Sequence, residues 1–350
     1  MVWTTSSRAL AVMVGCLALL SAPATAEHHH HQHRRQHHHA GYSVGPPIWQ
    51  TRPGAESVTT ITIGATTSIQ SVIPSATVAS ASASASAAAA AASSSASASV
   101  SALKAQVIIP FYVYPDPGKW TPLLELITSF PDVHFTVIIN PSSGPGTSAL
   151  PDAAFLTAIP SLTQHSNVLA IGYVPTQKGT RALSAVENDI NIYANWPTAA
   201  DNSSFAVHGI FLDEAPNAYS AELVAYYTSC AELIRSKSGL GPENYVVTNP
   251  GTPPDSAYLA IADSTVVFES PYASFQDALA AGTFNKLNTT GSTHSKMASM
   301  VYGVPDSVHL PTLLAQVGNF SEQIFLGNTS SYMVYDTYMN SVVPALLEMV

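Results

Sequence analysis

The feature that most constrains the fold is a regular alternation of short apolar runs and helical stretches, which fills the chain from residue 106 to residue 350. The apolar runs are rich in Val, Ile, Phe and Tyr, and most are apolar on both faces, as buried parallel strands are. We predict eight strands, at residues 107–114, 134–140, 167–174, 207–213, 245–249, 265–269, 297–302 and 332–336. Helices are predicted near residues 119–129, 152–164, 180–195, 218–238, 255–262, 273–281, 308–318 and 340–349.

Eight strand-then-helix units in about 245 residues have the size and rhythm of a TIM-like (β/α)8 barrel, which is an α/β fold. An open, doubly wound sheet is the alternative, but it usually carries a Gly-rich phosphate loop after its first strand. The Pro-Asp-Pro-Gly segment at residues 115–118 is not such a loop. We therefore predict a barrel domain over residues 105–350.

The first 104 residues differ in composition and are predicted to precede the barrel as a separate leader. Arg8, the apolar run 9–20 and the small residues 24–26 indicate a secretory signal peptide over residues 1–26. Residues 27–104 are first His-rich and then Ser/Ala-rich, a composition that buries too little apolar surface to fold. We predict a disordered stalk and an exported protein, either extracellular or associated with a cell wall.

The stalk begins with a histidine tract that holds eight of the chain's 13 histidines. Neutral imidazoles bind zinc, copper or nickel, so the tract is a candidate metal site. Because no carboxylate or cysteine fixes a coordination geometry, we prefer to interpret it as a solvated polar tail and predict no metal site.

Charge argues against two classes of partner. The chain has 12 Lys and Arg against 22 Asp and Glu, for a formal net charge of −10. Such a chain lacks the basic surface of a nucleic-acid-binding protein and is repelled by anionic membranes. We expect no nucleic-acid partner, no membrane association and a monomer.

Cysteine and asparagine patterns fit an exported domain. Cys16 leaves with the signal peptide, so Cys230 has no disulfide partner within the chain and is predicted to be a buried structural thiol. Four Asn-x-Ser/Thr sequons predict N-glycosylation at Asn202, Asn288, Asn319 and Asn328.

Polar side chains follow the predicted strands at their carboxyl ends, which converge on one opening of a (β/α)8 barrel. Carboxylates and aromatic rings around one cavity suit a carbohydrate, because sugars offer both hydroxyls and apolar ring faces. The candidate substrate-binding residues are Tyr114, Asn140, Tyr173, Asn249, Tyr302 and Asp336. Asn140 and Asn249 both open Pro/Gly turns, so satisfying its own turn is an equal alternative for each of them.

The sharpest motif is the run 209–216, in which Asp213 and Glu214 follow a strongly apolar strand. Successive strand side chains point to opposite faces, so only one of the two acids is expected to enter the cavity. The alternative is that both acids stabilise the N-terminus of a helix near Pro216.

Glu269 ends another apolar run, where a lone charge would be costly to bury. It is therefore either functional or paired with a base such as Arg181. Near a second acid, its pKa should be raised, which suits a general acid. Glycoside hydrolysis requires two such carboxyl groups.

By contrast, His208 alternates with core residues and is predicted to be a satisfied internal histidine, and no serine-hydrolase elbow or zinc-protease motif occurs.

A family resemblance rests on several of these motifs taken in order. They are 109–115 (Ile-Pro-Phe-Tyr-Val-Tyr-Pro), 135–141 (Phe-Thr-Val-Ile-Ile-Asn-Pro) with 143–146, 172–174, 209–216, 249–252 (Asn-Pro-Gly-Thr) and 268–269. With these motifs, the chain resembles the spherulin-4 family, the spherulation-specific proteins of fungi and slime moulds. The resemblance covers roughly residues 105–340 and none of the leader.

The resemblance implies a (β/α)8 glycoside hydrolase that cleaves galactosaminogalactan internally, at α-1,4 bonds of N-acetylgalactosamine (GalNAc). The family's acidic pair falls on Asp213 and Glu214, and its later glutamate falls on Glu269. Analogy with related α-galactosaminidase barrels implies that Asp213 is the nucleophile and Glu269 the general acid/base, with retention of configuration. Glu214 would then orient the substrate or tune a neighbour's pKa, and no cofactor is required.

Two other functions remain open from the sequence. One is a non-catalytic cell-wall or spore-coat protein that uses the barrel to bind glycans, although all three acids are present. The other is a metal-binding surface protein that acts through its histidine tract.

Overall fold

The computed structural model describes residues 105–287 and 291–349. Eight parallel strands form a closed barrel in sequence order, which confirms the predicted (β/α)8 fold. The strands are β1 (Ala105–Phe111), β2 (Val133–Ile139), β3 (Val168–Pro175), β4 (Gly209–Asp213), β5 (Tyr245–Thr248), β6 (Ser264–Pro271), β7 (Met297–Tyr302) and β8 (Gln323–Leu326). The helices are α1 (Thr121–Ser129), α2 (Ala153–Thr163), α3 (Leu183–Ala199), α4 (Ala221–Ser236), α5 (Ser256–Leu259), α6 (Tyr272–Ala280), α7 (Leu310–Gly318) and α8 (Met339–Leu347).

The barrel closes between its first and last strands. β1 pairs with β2 along its whole length and with β8 at Gln106 and Val107. Because all eight strands are parallel, their carboxyl ends meet at one opening, which we call the mouth. The predicted signal peptide, stalk and histidine tract lie outside the described residues, as does Asn288.

The core forms from strands that bury apolar side chains on both faces, as predicted. Ile108, Phe135 and Phe211 have almost no accessible surface. Cys230, on α4, is also fully buried, and burial raises the pKa of its thiol to about 12. The thiol is therefore structural, as predicted. Within the described residues, no helix is both long and apolar enough to cross a bilayer.

The start of α4 excludes one alternative for the acidic pair. Ser220 caps this helix by accepting a hydrogen bond from the Leu223 backbone N–H at 3.3 Å. The helix begins seven residues after Glu214, so neither Asp213 nor Glu214 caps it. The capping interpretation of the pair is wrong.

The prediction of the eighth strand is also wrong. Residues 332–336 lie in the loop after β8, while the strand itself is the short segment Gln323–Leu326. The misplaced run lies near the end of β1, where the Tyr332 carbonyl accepts the Tyr112 N–H at 3.0 Å, but it forms a turn rather than a strand. The segment that pairs with both β1 and β7 is Gln323–Leu326.

Candidate active site

Two carboxylates and one amide meet at the floor of the mouth. Asp213 ends β4, Asn249 directly follows β5, and Glu269 lies near the end of β6. The Asn249 Nδ2 donates to Asp213 Oδ1 at 2.7 Å and to Glu269 Oε2 at 2.5 Å. Its Oδ1 accepts the Gly251 N–H at 3.0 Å, which fixes the orientation of the amide. One side chain therefore holds both carboxylates.

Tyrosine hydroxyls satisfy the remaining carboxylate oxygens. Tyr173 donates to Asp213 Oδ2 at 2.7 Å, and Tyr332 donates to Glu269 Oε1 at 2.9 Å. Tyr112 packs edge-on against both of these rings, with centroid distances of 5.5 and 5.6 Å. The charges of both carboxylates act on its hydroxyl. Three tyrosines thus form one wall around the acidic pair.

The backbone around the pair is also held in place. The Thr176 hydroxyl donates to the Asp213 carbonyl at 2.6 Å, and the Glu269 N–H donates to the Gly251 carbonyl at 3.1 Å. Gly251 has φ +64°, a left-handed conformation that glycine adopts without steric cost. A bulge between Val266 and Phe268 shifts the register of β6 just before Glu269. Bulges of this kind re-aim side chains next to active sites.

The two carboxyl groups differ in what controls their pKa. Burial raises the pKa of Asp213, while hydrogen bonds from Tyr173, the Glu214 N–H and Asn249 oppose that rise. Burial, followed by repulsion from Asp213, raises the pKa of Glu269 to about 7, against hydrogen bonds from Asn249 and Tyr332. Asp213 thus accepts three hydrogen bonds that favour its anion, whereas Glu269 accepts two and also faces the Asp213 charge.

Comparison with known proteins identifies the family. The model of spherulation-specific family 4 matches residues 106–346, which is most of the chain and nearly all of the barrel. The chain belongs to this family. Spherulin-4 from Physarum polycephalum is 39% identical over 172 residues, which are 48% of this chain and 46% of that protein. The chain thus spans about half the length of this curated relative.

A solved structure is similar over the whole barrel. Sph3 from Aspergillus clavatus, crystallised in complex with GalNAc, is 42% identical to this chain, with a TM-score of 0.67. The match covers 70% of this chain and 98% of the Sph3 chain. The predicted spherulin-4 resemblance is therefore confirmed.

In this spherulation-specific family 4 barrel, Glu214 lies apart from the pair at the rim. Its φ is +56° and its side chain is exposed, with Oε2 accepting the Gln177 N–H at 3.1 Å. The two adjacent acids take different positions, as predicted, but the cause is the left-handed backbone of Glu214 just after the end of β4 rather than alternation along the strand. Glu214 is still close enough for its charge to raise the pKa values of Asp213 and Tyr173.

Tyr302 belongs to the same cluster. Its ring packs edge-on against Tyr332 at 6.2 Å, and burial together with the Glu269 charge raises the pKa of its hydroxyl. The structure thus brings together five of the predicted site residues: Asp213, Glu269, Asn249, Tyr173 and Tyr302.

The other three predicted substrate-binding residues take part in local hydrogen bonds. Tyr114 is 42% exposed and donates to Asp152 at 2.7 Å. Asn140 accepts the Gly144 N–H in its own turn. Asp336 is buried in the loop after β8, where its carboxylate accepts hydrogen bonds from Thr329 and from the Tyr338 N–H. The Asp336 carboxylate thus braces this loop.

The alternative partner for Glu269 is also excluded. Arg181 pairs with Asp189 at 2.7 Å rather than with Glu269. The His208 Nδ1 donates to the Gly241 carbonyl at 2.6 Å, so the half-buried ring has a hydrogen-bond partner, as predicted.

The predicted site residues did not include two members of the cluster, Tyr112 and Tyr332. Tyr112 directly follows β1, so its position at the end of a strand marks it as a candidate in the same way as Tyr114. Unlike Tyr114, it lies close to the two carboxylates. Tyr332 was hidden by the misplaced eighth strand. Connections between a helix and the next strand are usually short. A strand that begins soon after the end of α7 would be Gln323–Leu326, which leaves Tyr332 in a loop at the mouth.

Proposed function

We propose that this protein is a secreted glycoside hydrolase that cleaves galactosaminogalactan-type exopolysaccharide internally, at α-1,4-linked GalNAc, with retention of configuration. The observation that carries the proposal is the Asn249 amide that joins Asp213 to Glu269. The GalNAc bound in the similar Sph3 structure supports the choice of sugar.

Carboxylate spacing supports retention. Both oxygens contact the same Asn249 nitrogen, so they lie no further apart than the sum of two hydrogen-bond lengths. Retaining glycosidases place their carboxyl groups about 5–5.5 Å apart, while inverting enzymes need about 6.5–9.5 Å to admit a water. The short separation leaves no room for that water between the two groups.

In the proposed mechanism, Asp213 attacks the anomeric carbon while Glu269 donates its proton to the leaving oxygen. The resulting glycosyl ester on Asp213 is hydrolysed by water, whose proton returns to Glu269. The acetamido group of an α-linked GalNAc is cis to the leaving oxygen and cannot attack from behind. A retaining reaction on this sugar therefore uses an enzyme carboxylate as its nucleophile, and in this proposal the reaction needs no cofactor.

The remaining site residues bind and orient the sugar in this proposal. Tyr173, Tyr302 and Asn249 line the pair, and Glu214 orients the substrate from the rim. Tyr114, Asn140 and Asp336 keep supporting roles at the mouth, in the contacts described above. Tyr112 adds an aromatic ring between Tyr173 and Tyr332, the two tyrosines that donate to the acids.

The cellular setting is part of the proposal. Residues 1–26 would direct export, residues 27–104 would act as a stalk, and the barrel would work as a monomer outside the cell or at its wall. Asn202, Asn319 and Asn328 are exposed, so each can carry an N-glycan, and Asn288 is the fourth proposed site.

The proposal is tested by incubating the full-length protein with purified galactosaminogalactan and measuring the oligosaccharides released. Asp213→Asn and Glu269→Gln should each lower release at least about a thousandfold. Asp277→Asn on α6 and Glu232→Gln on α4 are matched controls, because both carboxylates are exposed on the outer helices. Their release should equal that of the parent.

Two outcomes would contradict the proposal. Release that survives both Asp213→Asn and Glu269→Gln would place the chemistry elsewhere. A parent protein that binds the polymer without cleaving it would instead be a glycan-binding wall protein.

A further inference from the structure

A cavity of about 380 Å³ opens on the flank of the barrel, outside the acidic pair. We call it the flank cavity, and its walls include Asn217, Tyr219, Asp255, Ser256, Leu259 and Lys286. It lies where α5 makes a single turn of four residues, so the helix covers less of the barrel than its neighbours do. Its volume falls in the range of small-ligand sites.

The flank cavity begins close to the catalytic centre along the chain. Asn217 follows Asp213 by four residues, which span at most about 14 Å even when fully extended. The other wall, from Pro254 onwards, follows Asn249 by a similarly short turn. A polysaccharide held at Asp213 therefore reaches the cavity within a few sugar units.

The walls are tied to each other before any ligand binds. The Asp255 N–H donates to the Asn217 carbonyl at 2.9 Å, and the Tyr258 hydroxyl donates to the Ala218 carbonyl at 3.1 Å. The loop after β4 is thus fixed to α5. A pre-formed site loses less conformational entropy on binding than a mobile one.

The chemistry of the walls suits a neutral sugar. Tyr219 is 63% exposed and offers an open aromatic face. A single exposed ring is common, but this one lines a cavity together with the Asp255 carboxylate, the Lys286 ammonium group and the Asn217 amide. The opposite charges offset each other, so the site does not favour a strongly charged ligand, while every polar group can bind hydroxyl or acetamido groups.

We infer that the flank cavity is a second carbohydrate-binding site, which holds a part of the same GalNAc polymer that extends away from the catalytic centre. This inference rests on the proposed function for the identity of the polymer. Binding energy from sugars remote from the reacting bond would then serve to hold long chains in place for internal cleavage.

The test compares long and short substrates in the full-length protein carrying Tyr219→Ala. The ratio of KM for galactosaminogalactan to KM for an α-1,4-linked GalNAc disaccharide, which is too short to reach the flank cavity, should rise about tenfold, which is typical of truncating an aromatic anchor. Tyr219→Phe keeps the ring and should restore the parent ratio. Lys296→Ala, an exposed residue directly before β7 at the opposite end of the barrel, is the matched control and should not change it.

A second measurement separates this inference from the proposed function. Polymer affinity is measured in the Glu269→Gln protein with and without Tyr219→Ala, where no turnover occurs. Weaker binding on loss of Tyr219 supports the second site even if the parent protein proves unable to cleave the polymer. If the parent cleaves the polymer but Tyr219→Ala changes neither the affinity nor the KM ratio, the second site is overturned while the proposed function stands.

Discussion

At the residue scale, the central fact is that Asn249 holds two acids whose proton affinities differ. Asp213 accepts three hydrogen bonds that favour its anion, whereas Glu269 also faces the Asp213 charge. In the proposed mechanism, this asymmetry leaves Asp213 ionised as the nucleophile and Glu269 protonated as the acid, which is the state that a retaining glycosidase needs.

The asymmetry predicts a bell-shaped pH dependence of kcat/KM on the polymer. Activity should rise as Asp213 ionises and fall as Glu269 loses its proton, with the alkaline limb at about pH 7.

Tyr332→Phe removes a hydrogen bond that lowers the pKa of Glu269, so it should move this limb to higher pH. Tyr335→Phe is the control, because its hydroxyl bonds to Asn340 in the same region of the chain. A rate that keeps rising above pH 8 in the parent would contradict the role of Glu269.

The same carboxyl group should cost stability at high pH. The folded state raises the pKa of Glu269 from 4.5 to about 7, so it binds more protons than the unfolded chain between these values. The stability that Glu269 contributes is complete below about pH 4.5 and is lost as pH rises through about 7. Glu269→Gln should therefore be more stable than the parent at pH 8 by about 1–2 kcal/mol, after allowance for partial exposure to water.

Thermal unfolding at two pH values checks this expectation. For a domain of this size, the gain at pH 8 corresponds to a rise in Tm of about 2–8 °C, with little difference from the parent at pH 4. A variant that is less stable than the parent at pH 8 would show that the Glu269 charge is not strained in the folded protein.

Residues at strand exits could be predicted from the sequence, and residues in loops could not. Asp213 and Glu269 end apolar runs, where an acid has no packing role, so both stand out without a structure. Tyr332 reaches Glu269 from a loop whose path depends on tertiary contacts. Asp336 had a similar sequence setting but braces its own loop instead.

At the element scale, close contacts between strands position the acidic pair. Gly209 begins β4 opposite Tyr245 on β5, and a Cβ at this position would lie 2.3 Å from the Tyr245 carbonyl oxygen. Only glycine allows the two strands to approach so closely. Since β4 ends at Asp213, its register also sets the position of the proposed nucleophile.

Gly209→Ala is therefore expected to destabilise the protein by about 1–3 kcal/mol, as overpacking does, and to lower kcat in the fraction that remains folded. Gly318→Ala on α7 is the matched control, because no atom lies within 4 Å of its added Cβ. That variant should be as stable as the parent or slightly more stable. Denaturant unfolding measures both, and equal stability of Gly209→Ala and the parent would contradict the close approach of β4 and β5.

The boundaries of most elements were predictable from the hydrophobic pattern, but those of β8 and α5 were not. The helical patterns near 180–195 and 218–238 correspond to α3 and α4. β8 is only four residues long, so the longer Tyr-rich run after it carried the stronger strand signal. For a similar reason, the pattern at 255–262 predicts a longer helix than the single turn of α5.

At the scale of the whole molecule, closing eight parallel strands brings distant polar residues to one mouth. Asp213 and Tyr332 are more than a hundred residues apart in sequence, yet both are in hydrogen-bonded contact with the Asn249–Glu269 pair. The strand-helix rhythm predicts this convergence, because it follows from topology alone. The sharing of one amide nitrogen by both carboxylates depends on turn and bulge geometry, which the rhythm does not contain.

The most direct test of this account is the anomeric configuration of the first product, followed by NMR during cleavage of an α-1,4-linked GalNAc oligosaccharide by the full-length protein. Attack by Asp213 and then by water predicts that the new reducing end appears first as the α-anomer and later mutarotates. A product that appears first as the β-anomer would mean that water attacks directly and that the closely spaced pair does not form a glycosyl ester.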